Sequence, residues 1–180
     1  WKNKLSYSKV LRQSMSKHFE HSSFREKLIE HLFIGEMLKL SWLKDDCQLE
    51  VMKPEVDNAG CDVVLEDNNI IRHIQLKTSK LGAKASGQKV NVRLATKPSG
   101  CIVWIVFDEN TLELCSFYFF GAEAGRPLTG LENAKVAKHT KANVDGLKAE
   151  RPNIRILNKG QFTRYDSIED LYKVLFFPQN

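Results

Sequence analysis

The sequence predicts a single α/β domain, residues 1–180, in which a long helix precedes a series of short strands. Three observations support this prediction. Residues 24–40 repeat apolar side chains at helical spacing, residues 60–77 form two short strand patterns around a polar turn, and residues 101–107 and 112–120 are apolar runs of strand length. With 180 residues, the chain is long enough to bury one hydrophobic core.

The predicted helix places a carboxylate among apolar side chains. At about 100° per residue, Glu36 shares a stripe with Phe33 and Leu40, so it is expected inside the apolar face. A carboxylate in that position is costly unless it has a partner or binds a cation. Glu30 lies on the flank of the stripe and is the weaker candidate. The apolar positions of this helix are Phe24, Leu28, Ile29, Leu32, Phe33, Met37 and Leu40.

A hairpin follows the helix, with strands near 60–66 and 70–77 and a turn at 67–69. A short strand at Leu49–Met52 and a loop at 54–60 precede it. Side chains alternate between the two faces of a strand, so Ile74 and Leu76 are expected to point into a core. The opposite face of the second strand carries three polar side chains: His73, Gln75 and Lys77.

The hairpin also brings a carboxylate to this polar face. Asp62 begins the first strand, so the turn carries it back beside Gln75 and Lys77. A carboxylate, an amide oxygen and a lysine at one sheet edge suit a divalent metal and an activated water. The sequence therefore predicts a metal-dependent hydrolytic site here.

The remaining elements are predicted with less detail. Residues 90–94 are predicted to form a strand, and a helix is predicted to begin near 166–171. The small-residue, basic loop at 79–88 is either a surface connector or a lid over a ligand. Residues 131–148 are expected to form a broken helix with a basic surface. Residues 1–20 are expected to form a short helix or a partly ordered arm.

The pattern of Asp62, Gln75 and Lys77 on a hairpin after a helix that offers Glu36 resembles the PD-(D/E)XK nuclease superfamily. The resemblance covers roughly residues 20–120, with residues 121–180 as a basic extension. It implies a restriction-endonuclease-like core with a central mixed β-sheet flanked by helices. Two departures stand out. Gln75 is neutral where the family has an acid, and the family's Pro-Asp pair is missing before Asp62, with Pro54-Glu55 the nearest echo.

The resemblance also implies the roles of the site residues. Asp62, Glu36, the Gln75 side chain and the Leu76 carbonyl would bind Mg²⁺ or Mn²⁺. Lys77 would orient a metal-bound water and offset phosphate charge. The catalytic set is therefore Asp62, Gln75, Lys77 and Glu36, and the expected activity is hydrolysis of DNA phosphodiester bonds by a restriction- or repair-like endonuclease.

The charge of the chain favours a polyanionic partner. The net charge is +5 and the isoelectric point is about 9.0. DNA is the expected partner, and RNA stays open. A second basic set lies within 135–155. The predicted nucleic-acid contacts are Lys80, Lys84, Lys89, Arg93 and His73.

Two other functions remain open at this point. One is a binding module on the same fold in which Gln75 marks a site that has lost catalysis. The other is a protein-interaction subunit that uses the aromatic strand 112–120 as its interface. Family members commonly dimerise, so a homodimer stays open.

No apolar run is long enough to span a bilayer and no signal-peptide pattern is present. Four scattered cysteines favour a reduced cytoplasmic protein without a structural zinc.

Overall fold

The computed structural model describes residues 20–44, 46–56, 59–141, 144 and 146–177. The arm predicted for residues 1–20 lies outside this part of the chain except for Glu20. Two α-helices are described, α1 (Ser22–Leu43) and α2 (Ile168–Phe176). The strands are β1 (Glu50–Met52), β2 (Val63–Asp67), β3 (Ile70–Lys80), β4 (Gly87–Asn91), β5 (Gly100–Phe107), β6 (Leu114–Gly121), β7 (Lys135–Lys138), β8 (Glu150–Asn158) and β9 (Thr163–Tyr165).

A six-stranded mixed sheet forms the centre of the molecule, in the order β1-β2-β3-β5-β6-β9. All neighbouring pairs are antiparallel except β3 and β5, which run parallel. The parallel pair requires a crossover. Here the connection between the two strands contains β4 and a 3₁₀ turn, Val92–Thr96. The predicted α/β class with a central mixed sheet is therefore observed.

The predicted hairpin is confirmed, and its strands differ in length. Asn68 and Asn69 both have positive φ angles, 50° and 65°, as a two-residue turn of this kind requires. β2 pairs with β3 only from Asp67 opposite Ile70 to Val63 opposite Ile74. β3 then continues to Lys80, so its second half runs beyond the start of β2.

The two faces of the main sheet are covered differently. Alternate residues of β5 point to opposite faces. Val103 and Ile105 pack in one core cluster together with apolar residues of both α-helices. Ile102 and Trp104 pack in a second cluster with Val90 and other residues of the second sheet. Helices therefore cover one face and a small sheet covers the other.

That small sheet corrects two sequence predictions. It is antiparallel, in the order β4-β8-β7. The broken helix predicted for 131–148 is wrong, because Lys135–Lys138 is a strand of this sheet. The strand predicted for 90–94 is displaced: the strand ends at Asn91 and a 3₁₀ turn follows.

The aromatic side chains of the strand predicted as an interface lie in or against the core. Phe117 and Phe119 are buried in the helix-side core. Tyr118 and Phe120 pack against the cluster beneath the second sheet. The strand itself lies between β5 and β9, so its aromatic side chains are used in packing, while Leu112, Leu114 and Cys115 stay partly exposed beside a separate cavity. Among the described helices, none is long and apolar enough to cross a membrane.

Candidate active site

The cavity of interest lies where β3 runs beyond β2. Its volume is about 350 Å³, and it lies between the first turns of α1, the second half of β3 and the start of β4. Asp62, Gln75 and Lys77, predicted to converge, all line it. The complete lining is Glu26, Lys27, Glu30, Asp62, Gln75, Leu76, Lys77, Thr78, Gln88 and Ile105.

Asp62 completes the hydrogen bonding of the hairpin at the point where β2 begins. Its backbone N–H donates to the Ile74 carbonyl at 2.9 Å, and its Oδ2 accepts the Leu76 N–H at 2.7 Å. The carboxylate thus accepts the hydrogen bond that the backbone of one more β2 residue would otherwise accept from Leu76. Because the N–H and C=O of one strand residue face the same neighbour, the Leu76 carbonyl is also directed to this open edge. A carboxylate and a backbone carbonyl are therefore adjacent at the cavity.

Gln75 is buried, with 5% of its surface exposed, and its side chain is held in place. Its Oε1 accepts the Asn91 backbone N–H at 3.1 Å, which ties β3 to β4. Gly60 approaches its other side: a Cβ at that position would lie 2.4 Å from Nε2 of Gln75. Gly60 also has a φ of +73°, so two constraints favour glycine there. Sequence reasoning missed both Asn91 and Gly60 as supports of this side chain.

The helix carboxylate at the cavity is Glu30, which corrects the prediction for Glu36. Glu30 is 6% exposed and lines the site. The Glu36 side chain is 42% exposed, forms an ion pair with Lys39 at 3.2 Å and lines a different cavity. The predicted stripe omitted Ile34, which is buried, and Ser41. Including these two positions turns the buried face of α1 toward Glu30.

Two lysines bind the Glu30 carboxylate. Lys27 Nζ lies 2.8 Å from Oε2, and Lys53 Nζ lies 2.5 Å from Oε1. Burial raises the pKa of Glu30, but the hydrogen bonds and charges of the two lysines outweigh this effect, so the pKa lies below its usual value. Glu30 is therefore a carboxylate at neutral pH, and Lys53 was a partner that sequence spacing alone did not suggest.

The donor atoms at the cavity are of the kind that Mg²⁺ and Mn²⁺ prefer. Asp62 and Glu30 supply carboxylate oxygens, Gln75 an amide oxygen and Leu76 a carbonyl oxygen. This donor set contains two acids, Asp62 and Glu30, and a third acid, Glu26, lines the wall of the same cavity. Within the described residues, no group of three or more His, Cys, Asp or Glu side chains is positioned to hold a metal ion. The residues fit a hard cation by donor type, with less negative charge than three carboxylates would supply.

The basic side chains at the cavity match a phosphate ligand. Lys77 lies on β3 beside Gln75, is half-buried and lines the cavity with Lys27. Two lysines and two well-placed carboxylates in one polar cavity can hold an anion and a cation together. This combination suits hydrolysis of a phosphate ester.

The predicted nucleic-acid contacts are not equally available. Lys80 forms an ion pair with Glu109, and His73 donates from Nδ1 to the Pro98 carbonyl at 2.7 Å. Lys84, Lys89 and Arg93 are exposed on or beside β4. The three exposed side chains remain the better candidates for contact with a polyanion.

Comparison with known proteins adds little to this geometry. No protein-family model matches the sequence, and no curated protein matches it. Among solved structures, the chain is similar to a bacterial homing endonuclease, I-Ssp6803I, with 21% sequence identity and a TM-score of 0.33. The match covers 53% of this chain and 61% of that enzyme, which is less than two thirds of its length. A likeness this distant assigns no function to any residue of this chain.

Proposed function

We propose that this protein is a divalent-metal-dependent endonuclease that hydrolyses phosphodiester bonds in DNA. The observation that carries the proposal is the meeting of Asp62, Glu30, Gln75 and Lys77 in one polar cavity at the open edge of β3. The two carboxylates come from elements far apart in the sequence. Glu30 is buried and Asp62 is fixed by a hydrogen bond, and carboxylates held in this way in a cavity are candidates for a functional site.

The proposed mechanism divides the work between anionic and cationic groups. A bound Mg²⁺ or Mn²⁺ would supply a water of lowered pKa and stabilise charge on the scissile phosphate. Asp62 and Glu30 would hold that ion, with the Gln75 and Leu76 oxygens completing its protein ligands. Asp62 is already oriented by the Leu76 N–H, so its geometry needs little rearrangement on binding.

Lys77 is assigned to the phosphate and the attacking water. Its ammonium group would offset charge on a non-bridging phosphate oxygen and orient the water beside it. Lys27 lies on the same cavity wall. When an ion binds the Glu30 carboxylate, Lys27 would become available to contact phosphate, because its present partner would be shared with the cation.

The test is cleavage of supercoiled plasmid and of single-stranded DNA with Mg²⁺, Mn²⁺ or EDTA. The decisive variants are Lys77→Ala and the matched pair Glu30→Gln and Glu36→Gln, since both glutamates lie on α1 but line different cavities. We expect metal-dependent nicking by the wild type, a loss of about 100-fold or more in Lys77→Ala and Glu30→Gln, and wild-type activity in Glu36→Gln. Folded and fully active Lys77→Ala protein would refute the assignment.

A second candidate function is a nucleic-acid-binding module without catalysis on the same fold. The observation that favours it is the engagement of the acidic groups: Glu30 is neutralised by Lys27 and Lys53, and Gln75 brings no charge. Salt-sensitive DNA binding that is unchanged by EDTA, with no cleavage under any metal, would support this module.

A further inference from the structure

The positive charge of the chain is concentrated in the second sheet and its flanks. Residues 80–97 contain five Lys and Arg and no Asp or Glu, and residues 133–159 contain seven Lys and Arg against two acids. The rest of the chain has 15 Lys and Arg against 20 Asp and Glu. Both basic stretches meet in space because β4 pairs with β8 and β8 pairs with β7.

The strand register places lysines on the outer face of this sheet. Lys89 and Lys135 both lie opposite Ile156, from the two sides of β8. Residues opposite one another share a face, and the neighbouring Val90 and Leu157 point inward to the buried cluster. Lys89 and Lys135 therefore point away from the main sheet, and both are exposed. Two strand spacings separate them by roughly 10 Å.

This face continues into the candidate active site. Gln88, the residue before Lys89, points inward and lines the catalytic cavity. The N–H of Asn91, later in β4, holds the Gln75 side chain. A polyanion lying along the outer face of β4 would therefore pass beside the open edge of β3.

We propose that the outer face of the β4-β8-β7 sheet binds duplex DNA along its major groove, with Lys89 and Lys135 contacting phosphates on opposite sides of the groove. The inference deepens the proposed function and rests on it for the identity of the substrate. The B-form major groove is about 12 Å wide, close to the separation of the two lysines, and it admits β-strands. The major groove of A-form RNA is too deep and narrow for this contact.

The composition of the sheet argues against single-stranded ligands. Proteins that hold single strands stack the bases on aromatic side chains. The segments of β4, β7 and β8 contain no Phe, Tyr or Trp. Half-buried Ile154 and Ile156 lie on the face that carries the lysines. Such a face can contact base edges of a duplex but offers no stacking platform.

The experiment measures binding of the whole chain to a labelled 30-base-pair duplex by fluorescence anisotropy in EDTA, over a range of salt concentrations. We compare Lys89→Ala/Lys135→Ala with Lys39→Ala/Lys173→Ala, which removes two exposed lysines from the helix-covered side. Each lost phosphate contact lowers the salt slope by about 0.9. We expect the sheet variant to lose about 1.8 of slope and at least tenfold in affinity at low salt, and the helix variant to bind within twofold of wild type.

Other outcomes separate this inference from the proposed function. Lys89→Arg/Lys135→Arg should restore the slope, because arginine also contacts phosphate. A wild-type slope in the alanine variant, or equal affinity for duplex RNA or single-stranded DNA, would overturn the groove contact even if metal-dependent cleavage is observed. A reduced salt slope in the sheet variant, together with no cleavage by the wild type, would support the DNA-binding surface and refute the proposed nuclease activity.

Discussion

The Asp62 carboxylate accepts the backbone N–H of Leu76 at 2.7 Å, in the position where a further residue of β2 would otherwise pair with β3. One side chain therefore ends a strand pairing and faces the candidate site. This dual position explains why a carboxylate stands at the first residue outside β2. The structural and chemical roles of Asp62 can be separated by substitution.

Asp62→Asn keeps an oxygen that can accept the Leu76 N–H but removes the charge. We expect this variant to melt within about 2 °C of wild type and to lose metal-dependent cleavage and metal-induced stabilisation. Asp62→Ala removes both functions and should also lower the free energy of unfolding by about 1.5–3 kcal/mol, the usual net value of a hydrogen bond to a charged group. Urea denaturation and plasmid cleavage of both variants provide the measurement. Equal activity of Asp62→Asn and wild type would contradict the chemical role.

The hairpin and the central strands could be predicted from the sequence because each is a local pattern. The turn at Asn68 and Asn69 requires positive φ angles that Asn tolerates, and the alternation around Ile74 fixes which face is buried. The choice between Glu30 and Glu36 was not local. It depends on where α1 lies against the sheet and on Lys53, which is 23 residues from Glu30.

The second sheet was unpredictable for a related reason. β7 is only four residues long, contains two lysines and pairs with β8 through a register shift between Val136 and Ala137. A short, irregular strand has too few alternating positions to produce a clear pattern. The pairing of β7 with β8 and of β8 with β4 joins segments far apart in the sequence. It depends on packing in the buried cluster that contains Val90 and Leu157.

Arg72 illustrates a buried charge that holds the second helix. It lies fully buried on β3 and donates to the carbonyls of Leu175, Val174 and Ala122 at 2.6, 3.1 and 3.1 Å. Two of these carbonyls belong to the last turn of α2, where carbonyls lack helical partners and the helix dipole favours a cation. We expect Arg72→Met to destabilise the fold by about 3 kcal/mol.

The control for Arg72 is Arg126→Met, which removes an exposed arginine from a loop. Chemical denaturation of both variants gives the comparison, and hydrogen exchange of α2 amides locates the effect. Loss of protection should be greatest at the end of α2. An Arg72→Met protein as stable as Arg126→Met would show that the three carbonyls find other partners.

Tyr172 couples stability to alkaline pH. Its hydroxyl donates to Asp67 Oδ2 at 2.7 Å in the core, and burial, followed by the Asp67 interaction, raises the pKa of Tyr172 above its ordinary value of 10.0. The folded state therefore keeps this proton when the unfolded state releases it. Stability is fully present below about pH 10 and falls as the pH rises above it.

Tyr172→Phe should remove this part of the pH dependence and leave buried Asp67 without one of its donors. We expect a loss of about 1–3 kcal/mol at neutral pH and a flatter stability curve above about pH 10. Urea denaturation at several pH values between about 7 and 11 tests both effects. Tyr165→Phe is the comparison variant: Tyr165 is only partly buried, and burial also raises its pKa, so this variant should flatten the curve less than Tyr172→Phe does. Parallel curves for wild type and Tyr172→Phe would contradict the assignment.

Gln75 tests the metal hypothesis from the opposite direction, by adding charge. In Gln75→Glu one carboxylate oxygen can still accept the Asn91 N–H. The substitution also adds a third carboxylate to Asp62 and Glu30 at the cavity. Without a divalent cation the variant should be less stable than wild type, because a charge is added at a position that is 5% exposed. With Mn²⁺ or Mg²⁺ it should gain more stability than wild type, since ligand charge strengthens binding of a hard cation.

Thermal denaturation with EDTA, Mg²⁺ or Mn²⁺ measures both effects. Gln48→Glu, which changes an exposed loop residue, controls for the added charge. If Gln75→Glu and Gln48→Glu respond equally to the cations, the cavity is not a metal site, and its lysines and carboxylates serve binding or stability alone.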